Sequence, residues 1–233
     1  MNGLLALHRN TPLLNTVDPR GLSVRSVAYC RTRLADEPQT RVTRSAFDAA
    51  GRLMANWGPR LWAVQAPANL SAVYSLDGLV LCSDSVDAGW RLSLPGAGGE
   101  MLQGWDGRGT VRRVSYDGLL RPIAMFEDEQ CVERLAYGGA DAEAHNQCGQ
   151  LIRHDDPAGT RLNEDFGVSG ALLGQTQHVL RDLQQPHWPE SIAERDGLLE
   201  SGPGATTGWA YNPLGELLRQ TDALGNAFLA ARS

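Results

Sequence analysis

Asp155 and Asp156 are adjacent carboxylates, the residue type that general acid–base catalysis uses when two acids face one pocket. On an extended chain, however, neighbouring side chains point to opposite sides, and Asp156 also opens the tight turn Asp156-Pro157-Ala158-Gly159. The pair reads as architecture. His145, Cys148 and His154, with Cys131 upstream, carry imidazole and thiolate groups that suit zinc. Their intervals match no compact zinc pattern, and a structural zinc needs four converging ligands, so they read as turn-lining histidines and buried cysteines. Serine, histidine and aspartate are all present, yet no Gly-x-Ser-x-Gly elbow occurs, because Val168-Ser169-Gly170 lacks the first glycine. The glycines between Gly96 and Gly109 precede no Gly-Lys-Ser/Thr, and a chain without lysine has no Walker phosphate loop. No catalytic, cofactor-binding or metal-binding residue is assigned, and the chain is expected not to be an enzyme.

The same aspartates belong to a recurring punctuation, Asp-x-x-Gly, that positions everything else. It occurs as Asp18 to Gly21, Asp48 to Gly51, Asp106 to Gly109, Asp156 to Gly159 and Asp222 to Gly225, with Asn212 to Gly215 as the amide version. Phe47, Tyr116 and Tyr211 stand just before Asp48, Asp117 and Asn212. Asp or Asn at the head of a turn accepts bonds from amides two residues on, while Gly takes positive φ without a Cβ clash. Each copy is a chain reversal, and the recurrence marks a repeat architecture. The flanks alternate with period two, as in Val111 to Tyr116, so strands are being reversed. Intervals of ten or eleven residues, Asn212 to Asp222 and Asp106 to Asp117, fit one strand of about 5–6 residues plus a turn. The longer intervals from Asp18 to Asp48 and from Asp48 to Asp77 approach multiples of that unit.

Composition bounds the class. The chain has 233 residues, 42% hydrophobic but only 6% aromatic, with 26 glycines, which suits many turns and thin packing, and no composition shift marks a linker. A single domain spanning 1–233, with a polar lead-in over 1–22, is expected. The net charge of −6 argues against a nucleic-acid partner, since phosphate neutralisation needs clustered cations. All 21 basic residues are Arg. Arg suits ion pairs on the polar face of a sheet, while a GC-rich coding sequence gives the same bias. Four scattered cysteines without a CxxC read as free buried thiols in a reducing compartment. The segment from Met1 to Asn10 lacks the charged start and apolar run of a signal peptide, and no stretch reaches the roughly 18 apolar residues of a membrane span. A soluble protein made in the cytoplasm is expected.

The fold expected is all-β, a meander of antiparallel β-hairpin repeats. Strands are predicted at Ser23 to Tyr29, Val42 to Phe47, Arg52 to Trp57, Ala72 to Leu81 around a turn at Asp77-Gly78, Trp90 to Leu94, Met101 to Trp105, and Leu120 to Phe126. Ser191-Ile192-Ala193-Glu194 has the form of a capping box and predicts one short helix near 191–200. The apolar spacing from Leu172 to Leu183 fits a helix or two strands.

The copies Ser45 to Leu53, Val114 to Pro122 and Ala210 to Leu217 resemble the tyrosine-aspartate (YD) repeat of the Rhs family. His8 to Pro12, Asp18 to Leu22, Val86 to Arg91, Cys148 to Gly159 and Thr221 to Asn226 resemble the N-terminal part of the C component of bacterial insecticidal toxin complexes. The resemblance covers nearly all of the chain. It implies β-hairpin strips that spiral into a hollow shell, in which a B-type component and a C component together enclose a cytotoxic segment. It also implies that the family's self-cleaving region and toxin are absent, since the sequence stops at Arg232-Ser233 before any matching residues. The function this implies is a structural, encapsulating virulence component with a B-type Rhs partner, released as part of a toxin complex. A surface or secreted module that binds carbohydrate or protein through repeat loops is the alternative, and exposed aromatics gathered on one rim would favour it. A small hydrolase built on the acids near Asp156 is a third reading.

Overall fold

Turn residues every ten or so positions leave only short β-branched and aromatic runs between them, too short for helices and long enough for strands. The computed structural model describes residues 9–229, and in it those runs form seventeen strands joined almost entirely in sequence order. Residues 1–8 and 230–233 lie outside the described residues, and within the lead-in expected over 1–22 Leu13–Val17 is a strand. The chain divides into two compact units, Met1–Thr110 and Val111–Ser233.

The first unit holds β1 (Leu13–Val17), β2 (Ser23–Cys30), β3 (Gln39–Phe47), β4 (Leu53–Trp57), β5 (Leu70–Tyr74), β6 (Val80–Ser85), β7 (Gly89–Pro95) and β8 (Met101–Asp106). Each strand pairs antiparallel with the next. Residues directly opposite share a face of the sheet. One face therefore carries Val27 opposite Val42, Trp57 opposite Arg44, Trp90 opposite Asp84, and the row Val73, Cys82, Leu92, Trp105. The other carries Ser26 opposite Thr43, Ser45 opposite Asn56, and Ser83 opposite Arg91. The sheet is amphipathic, yet Val27 is the only buried residue among those described in this unit. A short unexpected helix, α1 (Pro59–Ala63), brings Trp62 edge-on to Trp57 and under the Arg44 guanidinium.

The second unit continues the grammar with β9 (Val111–Tyr116), β10 (Pro122–Glu127), β11 (Gln130–Tyr137), β12 (Leu151–Asp156), β13 (Gly159–Phe166), β14 (Leu172–Val179), β15 (Ala205–Tyr211), β16 (Leu217–Thr221) and β17 (Ala227–Leu229). These also pair in sequence order. Between β14 and β15 the chain leaves the sheet over residues 180–204 and folds back onto it. Trp188, wholly buried, packs with Ala124, Cys131 and Leu180, and Phe126, Leu198 and Leu199 close around them.

Several expectations need correction. The helix is α2 (Ile192–Asp196), shorter than the predicted 191–200, and Ser191 makes no side-chain capping bond. The sheet instead holds the helix through Arg195, which is buried and pairs with Asp155 of β12. The segment from Leu172 is one strand ending at Val179, because pairing with both β13 and β15 outweighs its ambiguous periodicity. Leu120 is no strand residue: it occupies the left-handed position of its turn, with φ 58. Of the four free cysteines only Cys131 is buried, and Cys148 is exposed.

Candidate functional site

The turns are built alike. In the Asp18 turn the Gly21 amide donates to the Asp18 carbonyl at 2.9 Å, the Asp18 amide donates to the Leu22 carbonyl at 2.9 Å, and Gly21 takes φ 84. This is a type I turn closed by a left-handed glycine, and the strand register shifts beside it as such a bulge requires. One carboxylate oxygen of Asp18 accepts from the amides of Arg20 and Leu22. Asp106 does the same with Arg108 and Thr110, Asp222 with Leu224 and Asn226, and Asn212 with Leu214 and Glu216. Gly51, Gly109, Gly215 and Gly225 all sit at φ between 83 and 86.

Two turns differ in chemistry but not in form. At Asp117 the glycine stands second and Leu120 fills the left-handed place, with the Asp117 carboxylate still accepting from Leu119 and Arg121. At residues 75–78 the head of the turn is Ser75, whose hydroxyl accepts from the Leu79 amide, so Asp77 is not the turn-former its spacing suggests. Asp156 and Gly159 differ more: they are cross-strand partners flanking a two-residue turn, and Gly159 has φ 134. A Cβ on Gly159 would lie 2.0 Å from the His178 carbonyl oxygen, so close approach of β14 demands glycine there.

Phe47, Tyr116 and Tyr211 end β3, β9 and β15, and at Phe47 and Tyr211 the register shift falls on that residue. Tyr74 and Tyr137 occupy the same place at the ends of β5 and β11, and they reveal what it does. Arg52, four residues after Asp48, pairs with that carboxylate at 2.7 Å and donates across to the Ser75 carbonyl at 2.6 Å. Its guanidinium lies 5.0 Å over the Tyr74 ring, and the Tyr74 hydroxyl donates back to the Leu53 carbonyl at 2.9 Å. Arg121 repeats the arrangement with Asp117, the Gly149 carbonyl and the Tyr137 ring, whose hydroxyl donates to the Pro122 carbonyl. Arg20 pairs with Asp18 and donates to the Asp48 and Ala49 carbonyls.

Three arginines thus stitch one turn to the next turn on the same edge of the meander: 18 to 48, 48 to 75, and 117 to the loop at 149. Sequence reasoning missed this role, although Gly51-Arg52 and Leu120-Arg121 carry its signal. The amide and guanidinium of Arg52 hold the Asp48 carboxyl below the usual range, and the guanidinium and amide of Arg121 do so for Asp117. The side chain and amide of Asn226 lower Asp222 in the same way. Burial raises the Tyr137 hydroxyl.

The residues that had the look of chemistry are dispersed. Asp155 is fully buried, held by Arg153 at 2.8 Å and by Arg195, with the Thr160 hydroxyl donating at 2.6 Å. Asp156 bonds the Ala158 amide and Arg161 at the hairpin tip instead. His154 lies between Glu133 at 2.9 Å and Arg161 at 2.7 Å, His145 is exposed, and Cys131 is buried elsewhere. Among the described residues no cluster of three or more His, Cys, Asp or Glu is arranged to hold a metal. A recess of about 360 Å³ is lined by Arg153, Thr160, His178, Asp196 and Glu200, but Arg153 is already committed to Asp155, Asp196 and Thr160.

A strip of antiparallel hairpins with Asp-headed turns, three of them stitched by an arginine, is the arrangement that the resemblance to the Rhs, or YD-repeat, class implied. No family model matches the chain. It is 31% identical to toxin subunit YenC1 of Yersinia entomophaga over 95% of its own length and 26% identical to toxin subunit YenC2 of the same organism, also over 95%. It covers 24% and 26% of those two proteins, so it spans about a quarter of their length. Among solved structures it superposes on TcdB2–TccC3 without its hypervariable C-terminal region with a TM-score of 0.88, at 31% identity over 97% of this chain and 11% of that one. It matches the Photorhabdus luminescens Tc holotoxin pore with a TM-score of 0.87, at 31% identity over 95% of this chain and 11% of that one. The chain is a homologue of toxin-complex C components and corresponds to their Rhs-repeat region. Among the described residues, no helix is long and apolar enough to cross a membrane.

Proposed function

We propose that the chain is a non-enzymatic wall segment of a toxin-enclosing shell, assembled with a B-type Rhs component around a cytotoxic segment. The observation that carries this reading is the amphipathic sheet of the first unit. Its apolar face bears Trp57, Trp90 and Trp105 spread along the strip, and only Val27 is buried on it. A sheet with one apolar face and so little cover is half of a two-sided wall, and larger exposed apolar patches mark surfaces that meet something else. Aromatics spread along a face, rather than gathered on a rim, favour the wall over a carbohydrate-binding module. Asp155 and Asp156, which turn away from each other, give the hydrolase reading no pocket. The chain is made in the bacterial cytoplasm and released within the assembled complex.

Co-expression with a B-type Rhs component tests this. The expected outcome is a stoichiometric complex by size exclusion and multi-angle light scattering, with the chain alone self-associating. A clean monomer at micromolar concentration that ignores the B-type component would sink the proposal.

A further inference from the structure

The excursion between β14 and β15 is held to the sheet by two kinds of chemistry. Its ends are fixed by backbone pairing and by ions. The Arg181 amide donates to the Leu198 carbonyl at 3.0 Å, Arg195 of α2 pairs with Asp155, and Arg153 donates to Asp196 at 2.7 Å. Between those ends the segment 182–189 is fixed by neutral groups of β11. The ladder between β11 and β12 runs from Arg134 to Tyr137, so Cys131 lies beyond it and turns both of its backbone groups to the excursion. The Cys131 carbonyl accepts from the Trp188 amide at 2.9 Å, and the Cys131 amide donates to Nδ1 of His187 at 3.1 Å. An imidazole stands where the carbonyl of a neighbouring strand would be.

That bond fixes the state of the ring. A backbone amide only donates, so Nδ1 carries a lone pair and the ring proton sits on Nε2. A cationic histidine donates at both nitrogens. Protonation therefore sets donor against donor and leaves the amide of a fully buried residue without its acceptor. The surrounding charges do not offset this. Arg134 of β11 and Arg195 of α2 both act on the Cys131 thiol, and each adds positive charge. Glu190 of the excursion faces Arg134 at 4.0 Å, and Glu133 of β11 is bonded to His154. In the β10–β11 hairpin, Glu127 is taken by Arg112 and Asp128 by the Val111 amide. Among the described residues no carboxylate forms an ion pair with His187, whereas His145 and His154 each have one.

We propose that His187 is a proton-sensitive pin that makes the segment 182–189 a flap. Histidine changes charge between about pH 8 and pH 5, and over that span the flap lifts from β11. Lifting uncovers the apolar seat that Trp188 occupies against Ala124 and Cys131. The ion pairs at α2 last through the same span, because ordinary carboxylates are neutralised only near pH 4. The flap thus opens between two ends that stay fixed, and it does so whether or not the chain is part of a shell.

Peptide-resolved hydrogen exchange of the full chain at about pH 8 and about pH 5, corrected for the intrinsic pH dependence of exchange, tests the proposal. Protection over 182–189 and 130–133 should fall about tenfold in acid, the effect of one buried donor losing its acceptor, while α2 and β13 keep theirs. His187→Asn places a side-chain oxygen near the Nδ1 position and does not titrate, so it should hold the flap closed at both pH values. His187→Ala should leave it open at both. A pyridyl disulfide, which reacts with thiols in mild acid too, gives a reading on the unaltered chain. Its labelling of buried Cys131, relative to exposed Cys148, should rise about tenfold at the lower pH. Flap protection and Cys131 labelling that do not change with pH overturn the proposal. So does an acid-induced loss that persists in His187→Asn, or one that spreads equally to α2.

Discussion

The two units share one turn grammar and differ in how they bury anything. In the first, eight strands lie side by side and a single residue, Val27, is buried among those described. In the second, an excursion between two neighbouring strands returns over the sheet and buries Trp188, Cys131, Ala124 and Leu180 together with Asp155, Arg153, Thr160 and Arg195. The excursion is tied down by polar bonds as well as by packing. The Trp188 amide donates to the Cys131 carbonyl, Arg134 donates to the Trp188 carbonyl, and Gln130 donates to the carbonyls of Gln185 and Pro186. A hairpin meander does not need a second layer to form its ladder, but it needs one to bury side chains. The second unit supplies that layer from its own sequence, whereas in the first only Val27 is buried among the described residues.

The largest expected effect comes from the buried ion pairs. Asp155→Ala leaves Arg195 buried without its carboxylate and Arg153 with Asp196 alone, and should cost about 3–5 kcal/mol. Segment-resolved hydrogen exchange should show the loss over β11–β14 and the excursion, with the first unit unchanged. Equal loss of protection in both units would break the contrast.

Trp188→Ala and Val27→Ala test it as a matched pair. Removing the buried indole should cost about 3–5 kcal/mol. Trimming the one buried valine of the first unit should cost about 1–2 kcal/mol, because fewer methyl groups leave contact. Chemical denaturation of each variant gives the comparison. Adding a bound B-type component should enlarge the Val27→Ala penalty if the apolar face is covered in the complex, and should leave the Trp188→Ala penalty as it is.

Tyr74→Phe removes the hydroxyl that returns to the Leu53 carbonyl while keeping the ring under Arg52, so a loss of about 1 kcal/mol is expected by the same measurement. Tyr137→Phe, which removes the equivalent bond to Pro122, should cost about as much, so the stitch itself does not distinguish the units.

The turn carboxylates give the smallest and most evenly spread effect. Asp48, Asp117 and Asp222 are held below the ordinary carboxylate value in the folded chain. Their contribution is complete above the unfolded pKa of about 4 and is lost as pH falls through the lower folded values. Melting temperatures followed down from neutral pH should stay level above that point and decline below it in both units. Asp48→Asn should flatten part of the decline, and a decline that begins near neutrality would contradict the assignment.

Much of this was legible in the residues. Asp or Asn heading a turn and Gly closing it are local requirements of backbone geometry, so Asp18, Asp48, Asp106, Asn212 and Asp222 announce reversals without reference to the rest of the chain. Period-two flanks between them fix strands, and short connections fix an antiparallel meander. The stitch was only half legible. Arg52 and Arg121 are visible four residues after an aspartate, but the carbonyls they reach belong to Ser75 and Gly149, and only strand pairing brings those near. The capping box at Ser191 was misleading for a related reason: Arg195, drawn inward by Asp155 forty residues away, fixes the helix in place of a local cap.

The sequence by itself therefore determined most of the turns, the strands and their order, because each depends on neighbours along the chain. The tertiary structure alone decided what buries Asp155 and Trp188 and which distant carbonyls Arg20, Arg52 and Arg121 reach. Those outcomes depend on contacts between residues far apart in sequence, where local propensity carries no information and only the packed sheet supplies the partner.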